Sequence, residues 1–349
     1  MKILYAVQAT GNGHISRAME LMPFLKQYGE VDVFLSGSNS NLQPDLPVKF
    51  RSNGLSLFYG NTGGLDYWRM WRELDLRRIW KEAKELPVEK YDLVINDFDS
   101  ITSMACKLKK IKSIGFGHQA SFQSVLTPRN NKKDLAGEIV LKHYATSSAY
   151  IGLHFASYDD FIYPPVIKEE VLKADPTDQG HVTVYLSHYS DEVVIHALQK
   201  IKDVRFEVFS KKVKSVTTLA NVKLFPISNT GFTQSMIHSK GVITGAGFET
   251  PAEALYLGKQ LLCLPIRGQY EQLCNAAALK DFGVTIIDKI SNDFTQQIYQ
   301  WLQTSAAKKL SLRHSTYEIV QHAVELGRSL QPAKKEESLL NEEDLLALF

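Results

Sequence analysis

Between Gly241 and Ala276 the chain reads GVITGAGFETPAEALYLGKQLLCLPIRGQYEQLCNA, and few folds accommodate that succession of residues. A short apolar run, Val242 to Thr244, passes into Gly245, Ala246 and Gly247 and then meets Thr250, Pro251, Ala252 and Glu253. Threonine is a favoured N-cap, proline suits a first helical position because its missing N–H costs nothing there, and a glutamate three residues after the cap completes a capping-box spacing. The spacing predicts a helix that starts at Thr250, runs to Leu257 and stops at Gly258. A second buried strand, Leu261 to Leu264, is closed by Pro265. The unit is therefore strand, glycine loop, helix, strand. In such a unit the free amides of the loop and first helical turn point outward with the positive end of the helix dipole, a site for a phosphate. Because Pro251 lacks a donor, the amides of Phe248, Glu249 and Thr250 are expected to carry most of the contact.

Glu253 has two readings at this stage. Its carboxylate folds back onto the cap amide, or it accepts hydrogen bonds from the two hydroxyls of a ribose beside the phosphates. Downstream, Glu271, Gln272 and Asn275 crowd the loop and helix start after Pro265, where polar groups suit sugar hydroxyls. At the other end of the chain, Ile3 to Val7 reads as a strand, Gln8 to His14 as a loop with Gly11, Asn12 and Gly13, Ile15 to Tyr28 as a helix with apolar residues at helical spacing, and Val31 to Leu35 as the next strand. This βαβ half raises a nicotinamide-binding alternative. Ser16 stands where a third glycine belongs, and no acid follows Val31 to Leu35 to hold a ribose, so that alternative weakens. His14 closes the first loop. It is a polar cap, or a base whose imidazole takes a proton from an acceptor hydroxyl.

Taken together, the Gly-x-Gly loop, Glu253, the Pro265 turn, Glu271-Gln272 and Asn275-Ala276 resemble the nucleotide-sugar signature of glycosyltransferases with two facing Rossmann-like domains. The MurG-like enzymes are nearest in look and the plant secondary-metabolite transferases more distant. The resemblance implies an α/β architecture of two such domains with a cleft between them, the GT-B fold. It further implies an inverting transfer of a sugar from a nucleoside diphosphate, usually a uridine one, without a bound metal or separate cofactor. GNGH followed by a helix looks like the family's acceptor-side loop, with His14 as base. Leu93 to Ile95 reads as a buried strand with Asp97 just past its end, positioned to orient His14 as the plant enzymes pair histidine with aspartate. Asp99 competes for that role, and Asp-Phe-Asp is treated as a coincidental likeness to a metal motif. His118 and Gln119, at the end of the strand Ile114 to Gly117, are expected to line the acceptor pocket. Phe225 to Ser228, with Phe225 and Ile227, sits where the family's main chain reads the base. Ser187 and His188 depart from the family's glycine-serine loop, and their hydroxyl and imidazole are candidates to replace its phosphate contacts.

A chain of 349 residues is comfortable for two domains. The division expected is residues 1–162 as an acceptor domain, 163–180 as a linker, 181–330 as the nucleotide-sugar domain, and 331–349 as a charged, then apolar, tail. A net charge of +2 does not suggest nucleic acid as a partner. Three scattered cysteines, Cys106, Cys263 and Cys274, read as reduced thiols, and no apolar run approaches a signal core or a membrane span, so a cytoplasmic protein is expected. Residues 67–85 carry Trp68, Trp71 and Trp80 among basic and acidic residues. They read as a surface helix with its aromatic residues on the core, or as a lid or membrane-resting face for a lipid-linked acceptor. With 107–112 (KLKKIK) and 129–133 (RNNKK), they make the N-terminal half the membrane-facing candidate. Two other activities stay open: a nucleotide-sugar epimerase of the same architecture, and a binding protein that has lost turnover.

Overall fold

The computed structural model describes residues 1–9, 11–37, 45–54, 75–132 and 134–331. Residues 67–74, Lys133 and the tail from Pro332 onward, all invoked above, lie outside them. Within the described residues the chain forms two seven-stranded sheets. The first contains β1 (Lys2–Gln8), β2 (Glu30–Ser36), β3 (Val48–Ser52), β4 (Leu93–Asp97), β5 (Ile114–Gly117), β6 (Ala149–Leu153) and β7 (Ile162–Tyr163). Its order is β3-β2-β1-β4-β5-β6-β7, with every pair parallel. The second contains β8 (His181–Tyr185), β9 (Arg205–Ser210), β10 (Thr217–Leu219), β11 (Val222–Pro226), β12 (Gly241–Thr244), β13 (Gln260–Cys263) and β14 (Thr285–Ile286). Its order is β10-β11-β9-β8-β12-β13-β14, parallel except for the β10-β11 hairpin.

The sequence explains why these sheets are covered on both faces. Every residue of β4 is buried and β1 is buried from Ile3 onward, the near-continuous apolar run of a parallel strand packed between two helical layers. Strand order reverses between β1 and β4 in one sheet and between β8 and β12 in the other. Loops at the carboxyl ends of strands part at such reversals and leave a crevice. The helix Asn12–Leu25 follows β1, and the helix Glu249–Tyr256 follows β12, so each begins at its sheet's crevice.

The last described helix, Thr316–Leu330, leaves the second sheet and packs back on the first. Gly327 lies against Leu93 and Ile114, and Gln331 donates to the Asp92 carbonyl at 2.9 Å. A full capping box starts this helix: Glu318 N–H donates to Ser315 Oγ, and Ser315 N–H to Glu318 Oε2. Such a cap stabilises a helix by about 1 kcal/mol. The box expected at Thr250–Glu253 does not form. There the helix starts two residues earlier, with Phe248 as N-cap and no side-chain cap bond, so Pro251 falls at the third helical position. Its missing donor is still harmless, because the first four amides of a helix have no partner inside it.

The first glycine loop is also shorter than expected, since the helix begins at Asn12 and His14 stands in its first turn. Within residues 67–85 the described part is the helix Leu76–Glu85, which buries Ile79 and Ala83. Trp80 does not sit on the core; it is 46% exposed with Lys84 over its ring.

Candidate active site

Three polar side chains converge at the β1/β4 crevice. Asp97, the last residue of β4, is fully buried. His14 Nδ1 lies 2.8 Å from Asp97 Oδ1. Arg17, one turn further along the helix, grips the same carboxylate with a fork, Nη2 to Oδ1 at 2.8 Å and Nε to Oδ2 at 3.1 Å. Residues at i and i+3 share a helix face, which brings His14 and Arg17 together. Arg17 Nη2 is also 2.9 Å from His14 Nδ1. Only one of these contacts to Nδ1 can be a hydrogen bond. The carboxylate takes precedence, since Arg17 already has carboxylates for its protons. In that tautomer Nδ1–H donates to Asp97, and the lone pair of Nε2 accepts a long hydrogen bond from the Gln119 amide at 3.5 Å.

Burial by itself raises the Asp97 carboxyl, but the charges of Arg17 and His14 and their hydrogen bonds outweigh it and hold the group below its usual range. Burial lowers the Arg17 guanidinium, and Asp97 and Glu249 more than reverse this. The Arg17 side chain is 2% exposed and that of His14 is 13% exposed, so the histidine is the member of the trio that meets solvent. Asp99 points elsewhere: its carboxylate accepts from Thr102 N–H at 2.6 Å and caps the helix Ser100–Lys109. That capping accounts for the second aspartate of Asp-Phe-Asp.

Opposite, the tip of the helix Glu249–Tyr256 faces the first half across a cavity of about 140 Å³. It is lined by Asn12, Gly13 and Ser16 on one side, by Tyr185, Ile227, Ser228, Thr250 and Glu253 on the other, and by Lys168 from the segment that joins the halves. A Cβ at Gly247 or at Gly11 would meet nothing within 4 Å, so both loops leave room for another molecule to approach the backbone. Glu253 is 2% exposed, and its partner is Lys168, whose ammonium lies 3.3 and 3.4 Å from its two oxygens. Burial raises the Glu253 carboxyl to about 6 against the opposing pull of Lys168. A larger hollow, about 800 Å³, lies between the helices Asp191–Leu198 and Phe294–Leu302. It belongs to the second half alone and contains none of these groups.

Residues 1–303 match glycosyl transferase family 1. The chain belongs to that family. No curated protein matches this glycosyltransferase by sequence. Among solved structures, Arabidopsis thaliana UGT89C1 complexed with UDP-L-rhamnose aligns with a TM-score of 0.60 at 14% identity, over 94% of this chain and 99% of that one. SnogD from Streptomyces nogalater aligns at 0.52 with 12% identity, over 95% and 96%. Acinetobacter baumannii MurG aligns at 0.50 with 14% identity, over 94% and 94%. The glycosyltransferase thus has the GT-B fold, two facing Rossmann-like domains.

Several residues marked in the sequence sit elsewhere than expected. His118 is not on an open rim. It is 1% exposed, stacks on Phe248 at 4.0 Å between ring centres, and its Nε2 donates to Asn275 Oδ1 at 2.7 Å. Asn275 in turn donates to the Ala246 carbonyl at 3.1 Å, which ties the first half to the glycine loop of the second. Asn275 is therefore fully used inside the protein. Gln272 is likewise internal, its oxygen accepting from Ile266 N–H at 3.0 Å and standing 3.4 Å from a Cβ placed at Gly245. Gln119 bridges the halves by donating to Glu271 Oε2 at 3.0 Å. Phe225 stacks on Phe209, while Ile227 reaches the cavity. After β8, Ser187 is exposed and His188 lies against Tyr189, its imidazole pushed down to about 4 by burial. Neither lines the cavity; Tyr185 does.

Arg17 and Lys168 escaped the sequence reading. Arg17 had a detectable signal, a cation one helical turn after a candidate base. Lys168 had none, because only the folded path of the connecting segment brings it to Glu253.

Proposed function

We propose that this glycosyltransferase moves a sugar from a nucleoside diphosphate, a uridine one by first choice, to an acceptor hydroxyl in a single inverting displacement that needs no metal. The observation that carries the reading is the approach of two groups where the halves meet, with Gly13 and Arg17 against Glu249. A histidine oriented by a buried carboxylate stands on one side, and a helix tip with free amides beside a buried glutamate stands on the other. His14 Nε2 takes the acceptor proton as the new bond forms, and Asp97 stabilises the imidazolium. The diphosphate leaves toward the amides of Gly247, Phe248, Glu249 and Thr250. Negative charge grows on it in the transition state, so fixed donors stabilise that state more than the bound substrate. Glu253 accepts from the ribose hydroxyls, and Ile227 borders the base. The nucleotide sugar is a substrate and not a cofactor.

The apolar surface of the first half supports an acceptor with a lipid or other apolar part. Val125, Leu126, Leu135 and Ile139 are 82, 63, 75 and 61% exposed. Arg129 joins their two segments, bonding Glu138 at 2.6 Å and the Thr127 carbonyl at 2.7 Å. Exposed apolar groups on two segments tied by one arginine suit a contact surface.

A melting panel of UDP, dTDP, GDP, ADP and their sugar conjugates tests the donor assignment. A true donor at a hundred times its dissociation constant stabilises the fold by about 2.7 kcal/mol. No shift from any member would end the proposal.

A further inference from the structure

Arg17 is joined to both halves of the molecule. Its fork holds Asp97 on β4, and its remaining terminal nitrogen, Nη1, reaches the Glu249 carboxylate on the opposing helix. We propose that Arg17 is a positioning residue with two tasks: it fixes Asp97 behind His14, and it cancels the charge of Glu249 at the helix tip where a nucleoside diphosphate binds. The base and the donor site are then completed together when the halves meet. This rests on the reading that the tip of the helix Glu249–Tyr256 receives the diphosphate.

The need for cancellation follows from where Glu249 stands. It is the first residue of that helix and lines the cavity, with its side chain 24% exposed. A lone carboxylate there suits the helix dipole but repels an incoming diphosphate, which seeks the same amides. Paired with a guanidinium, it no longer does. Gly13 makes the pairing possible, because a Cβ at that position would run into the Glu249 carboxylate. Asp97 and Glu249 come from different domains, and Arg17 is the cation shared between them. If the halves part, Arg17 loses Glu249, and the helix tip regains its unpaired charge.

Calorimetric UDP binding and steady-state transfer in three variants separate the two tasks. Arg17→Met should weaken UDP binding roughly tenfold to hundredfold, from the uncancelled charge, and lower kcat roughly a hundredfold, from the loosened base. Adding Glu249→Gln to Arg17→Met should return UDP affinity close to wild type while kcat stays low. Arg17→Lys keeps the charge without the fork. It should therefore bind UDP nearly normally and still lose kcat, which also serves if the methionine variant fails to fold. Unchanged UDP affinity in Arg17→Met, or no recovery in the double variant, overturns the charge task. Normal kcat in Arg17→Lys overturns the positioning task. Should wild type bind none of UDP, ADP, GDP and dTDP, the donor reading is what fails, and melting temperatures decide the tie itself. Glu249→Gln should then lower the Tm of wild type but not of Arg17→Met, and an equal lowering in both overturns it.

Discussion

Two buried carboxylates belong to opposite halves of the molecule, and their surroundings differ in kind. Asp97 is oversupplied: Arg17 covers both of its oxygens, His14 adds a third donor, and Tyr5 Oη lies 3.4 Å away. Among the described residues Glu253 has one partner, a lysine ammonium spread over both oxygens at 3.3 and 3.4 Å. The first carboxyl is held below its usual range despite burial, and the second is lifted to about 6 by burial that Lys168 offsets only in part. A group whose lone pairs are all engaged can orient a neighbour but has nothing left for a ligand. A group held by a single flexible cation keeps acceptor capacity. The contrast fits the proposed roles, Asp97 in internal positioning and Glu253 as an acceptor for the substrate.

Breaking the first cluster should have the largest effect. His14→Ala is expected to lower kcat roughly a hundredfold to ten-thousandfold, the usual contribution of a positioned base, with donor KM little changed. Asp97→Asn should follow it in direction, since an amide neither stabilises an imidazolium nor fixes the tautomer. Near-normal turnover in His14→Ala would remove that side chain from the chemistry and erase the difference between the two clusters.

Breaking the second should move a different constant. Glu253→Ala is expected to raise donor KM by roughly tenfold to a hundredfold, the range for hydrogen bonds to a charged group, with kcat at saturating donor within a few-fold of wild type. A fall in melting temperature with no change in donor KM would return Glu253 to a structural role. Because the ionised form is the better acceptor for two hydroxyls, wild-type donor affinity should weaken as pH falls through about 6, and Glu253→Gln should lose that dependence.

What the sequence revealed of this contrast follows from the range of each interaction. The strand, loop, helix and strand around Gly245 were readable because apolar runs and punctuating residues act locally, and the same holds for β1 and β4. The helix starts were misplaced. At Gly11–Gly13 the glycines suggested loop, yet no helical hydrogen bond is needed from the first amides, so Asn12 and Gly13 join the helix. At Thr250 the proline was placed at the first helical position although any position in the first turn suits it. Pairings made across the cleft were invisible, and they decide the roles. Asn275 looked free for a sugar until His118 reached it from a residue 157 positions away. Glu253 stayed open between cap and ribose acceptor, because nothing local pairs it with Lys168, 85 positions away.

The smallest effect is also the most direct measure of the contrast, because the two carboxylates must act on stability with opposite sign. The Glu253 carboxyl is raised from 4.5 to about 6 on folding, so the native protein holds this proton more tightly than the unfolded chain does. Its contribution to stability is complete below pH 4.5 and is lost as pH rises toward 6. The loss is about 2 kcal/mol at most, from roughly 1.4 kcal/mol per pKa unit. Relative to Glu253→Gln, wild type should therefore lose stability between pH 4.5 and 6. The Asp97 carboxyl is lowered on folding, so its contribution is present above its ordinary range and disappears as pH falls below it. Relative to Asp97→Asn, wild type should lose stability on acidification instead. Urea unfolding of the three proteins across this pH range reads both slopes, and slopes of the same sign would show that the two sites are not opposites.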